Sequence, residues 1–476
     1  MKNENIKVAI VGGGIAGSTA AMCLGKLGLD ITLFEKNRNL VSGPPICHLH
    51  AGGNLYREIS DESCKILLKE SIDLLKLYPN AIDYRPTILA TPKTDDIDPI
   101  DLIPRLEYLK NEYKKLIEKD STNEVLSFVD NYYKIYTKDD ILKFKEKDIV
   151  KEPKSFDQWI IPFAKYTNLD KLKFPVIAVQ EYGLNIFRLG SMVNLELDKL
   201  KNVKILFEST VTNIEETNNQ TFNIEYKKDD NINLSEFDYI INSAGFRTGL
   251  IDDMLNIKRD SLVEFKAAYV TKWDGCKDRW PEIIFFGKRG TPEGMGQFTP
   301  YFNNHFQIHG MTEDITLFKD GLVKNDQNSS QPQLDTKFID KIEKSWDAKE
   351  IEARTKKAIE HIQQYLPIFT DVKVASKPLY GAQQIPGDDA NLRTANVSFD
   401  KKGYARCEIV KANSVLSMVD EIIKNMRDIG LIDIDNYEDK ISIKDIDDKK
   451  ITKKAKEIAT NLNYPTDLAY RVVEVV

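Results

Sequence analysis

The first readable element is Lys7-Val8-Ala9-Ile10-Val11, a short apolar run with three β-branched residues, suited to a strand buried in a parallel sheet. An Ala/Leu-rich stretch reaching about Leu27 predicts a helix, and Asp30 to Phe34 predicts a second strand. Together they make one βαβ unit. Asp83 to Thr91 reads as a strand, while residues 92–171 are lysine-rich, with helical periodicity over Arg105 to Lys119. That region is predicted to form a second layer. Strand patterning resumes at Val203 to Phe207 and Val211 to Ile214, and Tyr239 to Gly245 reads as a buried strand ending in a turn. Val263 to Lys272 and Glu282 to Phe286 predict strands of a separate sheet. Asp326 to Asp335 is polar and contains proline, so it is expected to be an exposed loop. A helix is predicted over about Phe338 to Tyr365, and a charged tail with clustered lysines follows Asp433.

Composition narrows the class. A chain of 476 residues with 42% hydrophobic and 30% charged residues is an ordinary globular protein, long enough for two domains. A net charge of -7 argues against nucleic-acid partners, which select basic surfaces. No apolar run is long enough to span a membrane, and the polar start Met1 to Lys7 is unlike a secretory signal. The five cysteines are scattered and form no CxxC pair; with only five histidines, no metal site is expected. These features predict a cytoplasmic protein.

The chemistry starts at Gly12-Gly13-Gly14-Ile15-Ala16-Gly17, a GxGxxG between strand and helix. Gly12 permits the tight turn, Gly14 lets the backbone approach a pyrophosphate, and Gly17 lets the helix pack closely on the strand. The helix N-terminus offers free N–H groups and a positive dipole end to phosphates. Glu35 lies eighteen residues beyond Gly17, at the end of the second strand, placed to accept ribose hydroxyls. The unit's place at the N-terminus and Glu35-Lys36 after the second strand resemble FAD-binding flavoproteins, which implies FAD rather than NAD. No second GxGxxG stands between a strand and a helix.

Further stretches resemble the D-amino-acid-oxidase-like FAD-dependent oxidoreductases, nearest the branch of L-2-hydroxyglutarate dehydrogenases and malate:quinone oxidoreductases. The likeness is dispersed over much of residues 6–430. His48-Leu49-His50-Ala51-Gly52-Gly53 is similar to the His-Ala-Gly segment that lies under the isoalloxazine in that family. Gly296-Gln297-Phe298-Thr299-Pro300-Tyr301 and His309-Gly310 resemble its active-site strands, and Gly381-Ala382-Gln383 with Glu408 to Ser414 resembles its C-terminal closure. In two respects the chain departs: the arginine often found beside the Gly381 motif is missing, and Val415-Leu416 replaces the usual Ser or Pro-Ala.

The resemblance implies an α/β fold, with a Rossmann-like FAD-binding domain of glutathione-reductase type and an interleaved α+β substrate domain on a mixed or antiparallel sheet. The implied order is FAD-binding 1–91, cap 92–175, FAD-binding 176–258, substrate domain 259–370, FAD closure 371–433 and a charged helical tail 434–476. The expected cofactor contacts are Gly12, Gly14, Ala16, Gly17, Glu35, Lys36, Gly52, Val211, Gly245, Asn413 and Ser414. Oxidation beside an alcohol or amine needs a base, for which His50 and His309 are the candidates. A substrate carboxylate would use Arg188 or Arg289, with Gln297 and Tyr301 as neutral donors. The expected activity is oxidation of a 2-hydroxy acid or amino acid, with electrons passed to quinone, oxygen or a protein. The lysine-rich tail could contact a membrane surface peripherally. Two other readings stay open: a flavin-dependent monooxygenase or halogenase, and a non-catalytic or assembly flavoprotein.

Overall fold

The computed structural model describes residues 6–41, 59–443 and 446–473. Lys7–Val11 lies at the centre of a six-stranded sheet ordered Val397–Lys401, Tyr404–Cys407, Tyr239–Asn242, Lys7–Val11, Asp30–Phe34, Val203–Leu206. All neighbours are parallel except the outermost hairpin of Val397–Lys401 and Tyr404–Cys407. The first strand is buried after Lys7, as its unbroken apolar sequence requires.

Helices Ile15–Lys26, Ile186–Leu197 and Val415–Asp428 cover one face. A three-stranded meander, Ser209–Glu216, Phe222–Lys228 and Asn231–Phe237, covers the other. There Phe34 packs against Tyr226 and Phe237, with ring centroids at 4.9 and 5.9 Å. Val211 is buried within this layer. This is the expected dinucleotide-binding domain.

A ten-stranded mixed sheet forms the second body. Its main path runs Leu322–Lys324, Ser261–Trp273, His305–Gly310, Gly296–Tyr301, Glu282–Phe285, Thr87–Pro92, Leu172–Val179, Tyr133–Tyr136. Thr87–Pro92 pairs in parallel with Glu282–Phe285, while the other pairs are antiparallel. One face packs an aromatic core, in which Phe298 stacks on Phe306 at 4.6 Å and meets Trp280 and Phe369 edge-on.

Several elements differ from expectation. The strand expected over Asp83 to Thr91 is interrupted at Pro86, leaving Ile82–Asp83 paired with Gly183–Leu184 and Thr87–Pro92 in the large sheet. The long helix expected to Tyr365 divides into Thr336–Glu343 and Ala348–Gln363. Asp347 restarts it by accepting from the Glu350 N–H at 2.9 Å, and Trp346 turns into the Phe265–Phe318 cluster. The loop expected to be exposed carries buried Ser330 and Gln331, which lie against Gly249. Within 371–433, Leu379–Pro386 joins the large sheet by pairing with Ser261–Ala268, and only Val397 onward returns to the first sheet.

The lysine-rich tail is docked rather than free. Its helix, Asp448–Asn461, buries Ile451, Ala455 and Ile458, an apolar stripe at i, i+4, i+7, against Ile186–Leu197. Beyond the helix, the Val472 N–H donates to Asp83 Oδ1 at 2.5 Å. Among the described residues no helix is long and apolar enough to cross a membrane.

Candidate active site

The glycine motif has the shape a dinucleotide needs. Gly12 adopts φ +103°, where a side chain is disfavoured. A Cβ on Gly17 would collide with the Gly12 carbonyl oxygen and Ser243 Oγ, so its absence sets the helix-to-strand distance. A Cβ on Gly14 would meet no atom of the described residues within 4 Å. Gly14 stands at the N-cap of Ile15–Lys26, so the space beside it is an open cradle at a helix N-terminus, suited to a pyrophosphate. Gly245, at φ +61°, forms a second open turn after the Tyr239–Asn242 strand. Ala16 is buried under the turn.

Glu35 is buried, and its carboxylate accepts from the Gly13 and Asn37 N–H groups, each at 2.7 Å. It therefore stiffens the loop beside the glycine turn. Lys36 pairs with Glu343 of the second body at 3.1 Å, and Arg247 reaches the same carboxylate. His50 and Gly52 lie outside the described residues.

A polar face of the large sheet lies on the side of the dinucleotide domain. In Gly296–Tyr301 and His305–Gly310, every second residue is polar, and register pairs Gln297 with His309, Thr299 with Gln307 and Tyr301 with His305. Phe298, Phe306 and Ile308 point the opposite way into the aromatic core. In the neighbouring strand Val270 pairs with Gln307, which by alternation places Glu264 and Lys266 on the polar face. Val270, Tyr301 and Leu379 pack with the core of the dinucleotide domain, so this face is turned toward it.

Buried polar groups cost free energy unless they are paired, and here they form two chains. In the first, Arg85 donates to Glu282 at 2.6 Å in an ion pair that is almost wholly buried. Glu282 accepts from Gln297 Nε2, and Gln297 Oε1 lies 3.0 Å from His309 Nδ1. A carboxylate only accepts, so Gln297 must present its amide nitrogen to Glu282 and its oxygen to His309. That oxygen accepts the His309 Nδ1 proton and leaves the lone pair of neutral imidazole on Nε2.

In the second chain Glu264 pairs with Arg289 and, at 2.7 Å, with Lys266. Lys266 also donates to Gln383 at 3.0 Å, and Gln383 donates to the Val410 carbonyl at 3.1 Å. Burial pushes the Lys266 ammonium below the usual lysine range, against the pull of Glu264. Two cations thus share one carboxylate.

Of the expected substrate residues, Gln297, Tyr301, Arg289 and His309 share this face or its edge. Arg188 does not join them. Its guanidinium donates to the Asn80 carbonyl at 2.6 Å, to Thr452 at 2.8 Å and to Asp448, which fastens the C-terminal helix and leaves no fork for a carboxylate. Asn413 and Ser414 also depart from expectation. The Asn413 amide nitrogen donates to Ser71 and the Ser414 hydroxyl to Glu70, each at 2.8 Å, so these donors are engaged within the protein. Sequence reading overlooked Lys266, Glu264, Glu282, Arg85, Thr299 and Gln307. The alternation of polar residues in Gln297-Phe298-Thr299 and His305-Phe306-Gln307 was its available signal.

Residues 7–133 match the model of the family DAO, FAD dependent oxidoreductase. The matched segment holds the glycine motif and Glu35, which agrees with an FAD-dependent oxidoreductase. Its fold is shared with solved structures at low identity. L-proline dehydrogenase from P. horikoshii is 14% identical, with 89% of this chain and 93% of that one covered, at a TM-score of 0.57. L-α-glycerophosphate oxidase from Mycoplasma pneumoniae, solved with FAD bound, is 13% identical over 89% and 95%, at 0.57. L-amino acid deaminase from Proteus vulgaris is 12% identical over 93% and 97%, at 0.58. No curated protein matches the chain by sequence. FAD fits the residues present: the open cradle at Gly14, the turn at Gly12 and the second open turn at Gly245.

Proposed function

We propose that this enzyme oxidises a small anionic substrate bearing an alcohol or amine, a 2-hydroxy acid or an amino acid, at the polar face of the large sheet. The observation that carries this reading is the pairing of two half-buried cations, Lys266 and Arg289, with the single buried carboxylate of Glu264. That arrangement leaves one positive charge to be balanced, and a substrate carboxylate balances it. FAD supplies the hydride acceptor. In this reading Gly12, Gly14, Ala16 and Gly17 hold its pyrophosphate, and Glu35 and Lys36 border its ribose. Val211, Gly245 and the backbone at Asn413 and Ser414 line the remainder.

His309 accepts the substrate proton at Nε2, because Gln297 occupies Nδ1. Arg85, Glu282 and Gln297 act through His309 and are positioning residues. Gln297 and Tyr301 border the substrate, and His50 remains a second base candidate. The electron acceptor is a quinone, oxygen or a protein. The resemblance to the L-2-hydroxyglutarate dehydrogenase and malate:quinone oxidoreductase branch favours the hydroxy acid.

The test is a titration of the oxidised holoenzyme with 2-oxo acids, formed directly from a 2-hydroxy acid and, from an amino acid, by hydrolysis of the imino acid with release of ammonia. They are expected to perturb the flavin spectrum saturably, with affinity at least tenfold weaker in Lys266→Ala. Equal affinity in the variant would remove the cationic pair from the substrate site.

A further inference from the structure

Where helix Asp448–Asn461 packs on helix Ile186–Leu197, the C-terminal helix walls a groove of about 920 Å³. Five cationic side chains line it against two carboxylates, Asp448 and Glu457. Lys449, Lys453 and Lys456 stand on the helix at i, i+4, i+7, and none forms an ion pair among the described residues. Arg188 and Arg471 both reach Asp448, the latter at 3.0 Å, so one carboxylate serves two guanidinium groups.

The Arg471 side chain is only 8% exposed, yet its Nη1 is buried with no hydrogen-bond partner. An orphaned guanidinium nitrogen is costly unless something else accepts from it. Arg471 also depresses Arg188, which burial already holds below the usual arginine range, so the floor of the groove is under-neutralised. At one end Phe302, 40% exposed, packs against Tyr470 with ring centroids 4.9 Å apart. Lys456 Nζ lies 5.6 Å from the centre of the Tyr470 ring.

We infer that this groove binds a phosphate-bearing small molecule with a planar ring, of the nucleotide class. Its phosphates would be held by Arg471 and the lysine row, and its ring would lie on Phe302 and Tyr470. Guanidinium donors suit phosphate oxygens, and an exposed aromatic edge suits a base. No residue of the glycine motif lines this groove. Phe302 also immediately follows Gly296–Tyr301, so a bound ligand would touch the turn that joins the two polar strands.

The test is calorimetric titration of the full-length protein, saturated with FAD so that the cradle is filled, with ADP, pyrophosphate and adenosine. ADP is expected to bind one to one and to weaken as salt rises. Pyrophosphate should bind more weakly and adenosine not at all. Lys449→Glu/Lys453→Glu changes two exposed positions and should weaken ADP by at least tenfold with flavin content unchanged; Arg471→Gln should do the same. The inference is overturned if ADP does not bind or if both variants bind it as the wild type does. Binding of pyrophosphate as tight as that of ADP would remove the planar ring from the ligand. Binding to anionic phospholipid vesicles with none to ADP would make the groove a membrane contact instead.

Discussion

Two glycines of one motif are expected to fail in different ways. A Cβ on Gly17 would come under 3.0 Å from two atoms, one of them the backbone oxygen of Gly12, which cannot rotate away. Overpacking of this kind costs about 1–3 kcal/mol, and collision with backbone places Gly17→Ala near the upper figure. The apoprotein melting midpoint should then fall by roughly 5 °C. Gly14 has φ -65° and open space at its Cβ, so a side chain there starts free of clash with the described residues. Its only intrinsic cost is that of a poorer N-cap, about 1 kcal/mol or less. Gly14→Val should therefore fold with a nearly unchanged apo midpoint yet place its isopropyl group where the pyrophosphate meets the backbone. A hundredfold loss of FAD affinity, about 2.7 kcal/mol, is expected. Differential scanning fluorimetry of the apoproteins and flavin absorbance after reconstitution separate the two effects. A Gly14→Val protein that is yellow at full occupancy would refute the reasoning, as would a Gly17→Ala apoprotein that melts with the wild type.

Other expectations follow from the buried networks. Glu282→Ala leaves Arg85 charged and unpaired in the core, which should cost about 3–5 kcal/mol in urea unfolding. Glu282→Gln should fold better but release the Gln297 amide, shifting the pH profile of flavin reduction while leaving FAD content alone. His309→Ala should keep FAD and slow substrate-driven flavin reduction by about 10²–10⁴-fold in stopped-flow measurements. His50→Ala does so only if His50 is the base instead. Burial lowers the His305 and His361 values below the ordinary 6.5. Their contribution to stability is therefore complete above pH 6.5 and is lost as pH falls through the depressed folded values, where the unfolded chain already binds more protons. Thermal midpoints should decline below about pH 6.5, and a flat profile there would contradict the neutral burial of both rings.

What was legible in the sequence was what is local in the chain. The strand, glycine turn, helix and Glu35 all lie within thirty residues, and each residue type had one physical reason to be there. Arg188 was misread because its partner Asp448 is 260 positions away, and no local pattern announces a clamp at that distance. The polar sheet face depends on the same kind of information: Gln297 and His309 pair across a hairpin, but Lys266 joins them only through a register formed over forty residues. The tail was different. Its Ile451, Ala455 and Ile458 stripe was readable, but the lysines between them drew attention to charge rather than periodicity.

Oxidation at the polar sheet face by the bound flavin can be observed through the flavin's own colour. Its most direct measurement is anaerobic mixing of the oxidised holoenzyme with a panel of 2-hydroxy acids and amino acids, following loss of flavin colour. Rapid, stoichiometric bleaching by at least one member is expected, slowed in both His309→Ala and Lys266→Ala. Flavin that stays oxidised with every member, or bleaches at the wild-type rate in both variants, would contradict it.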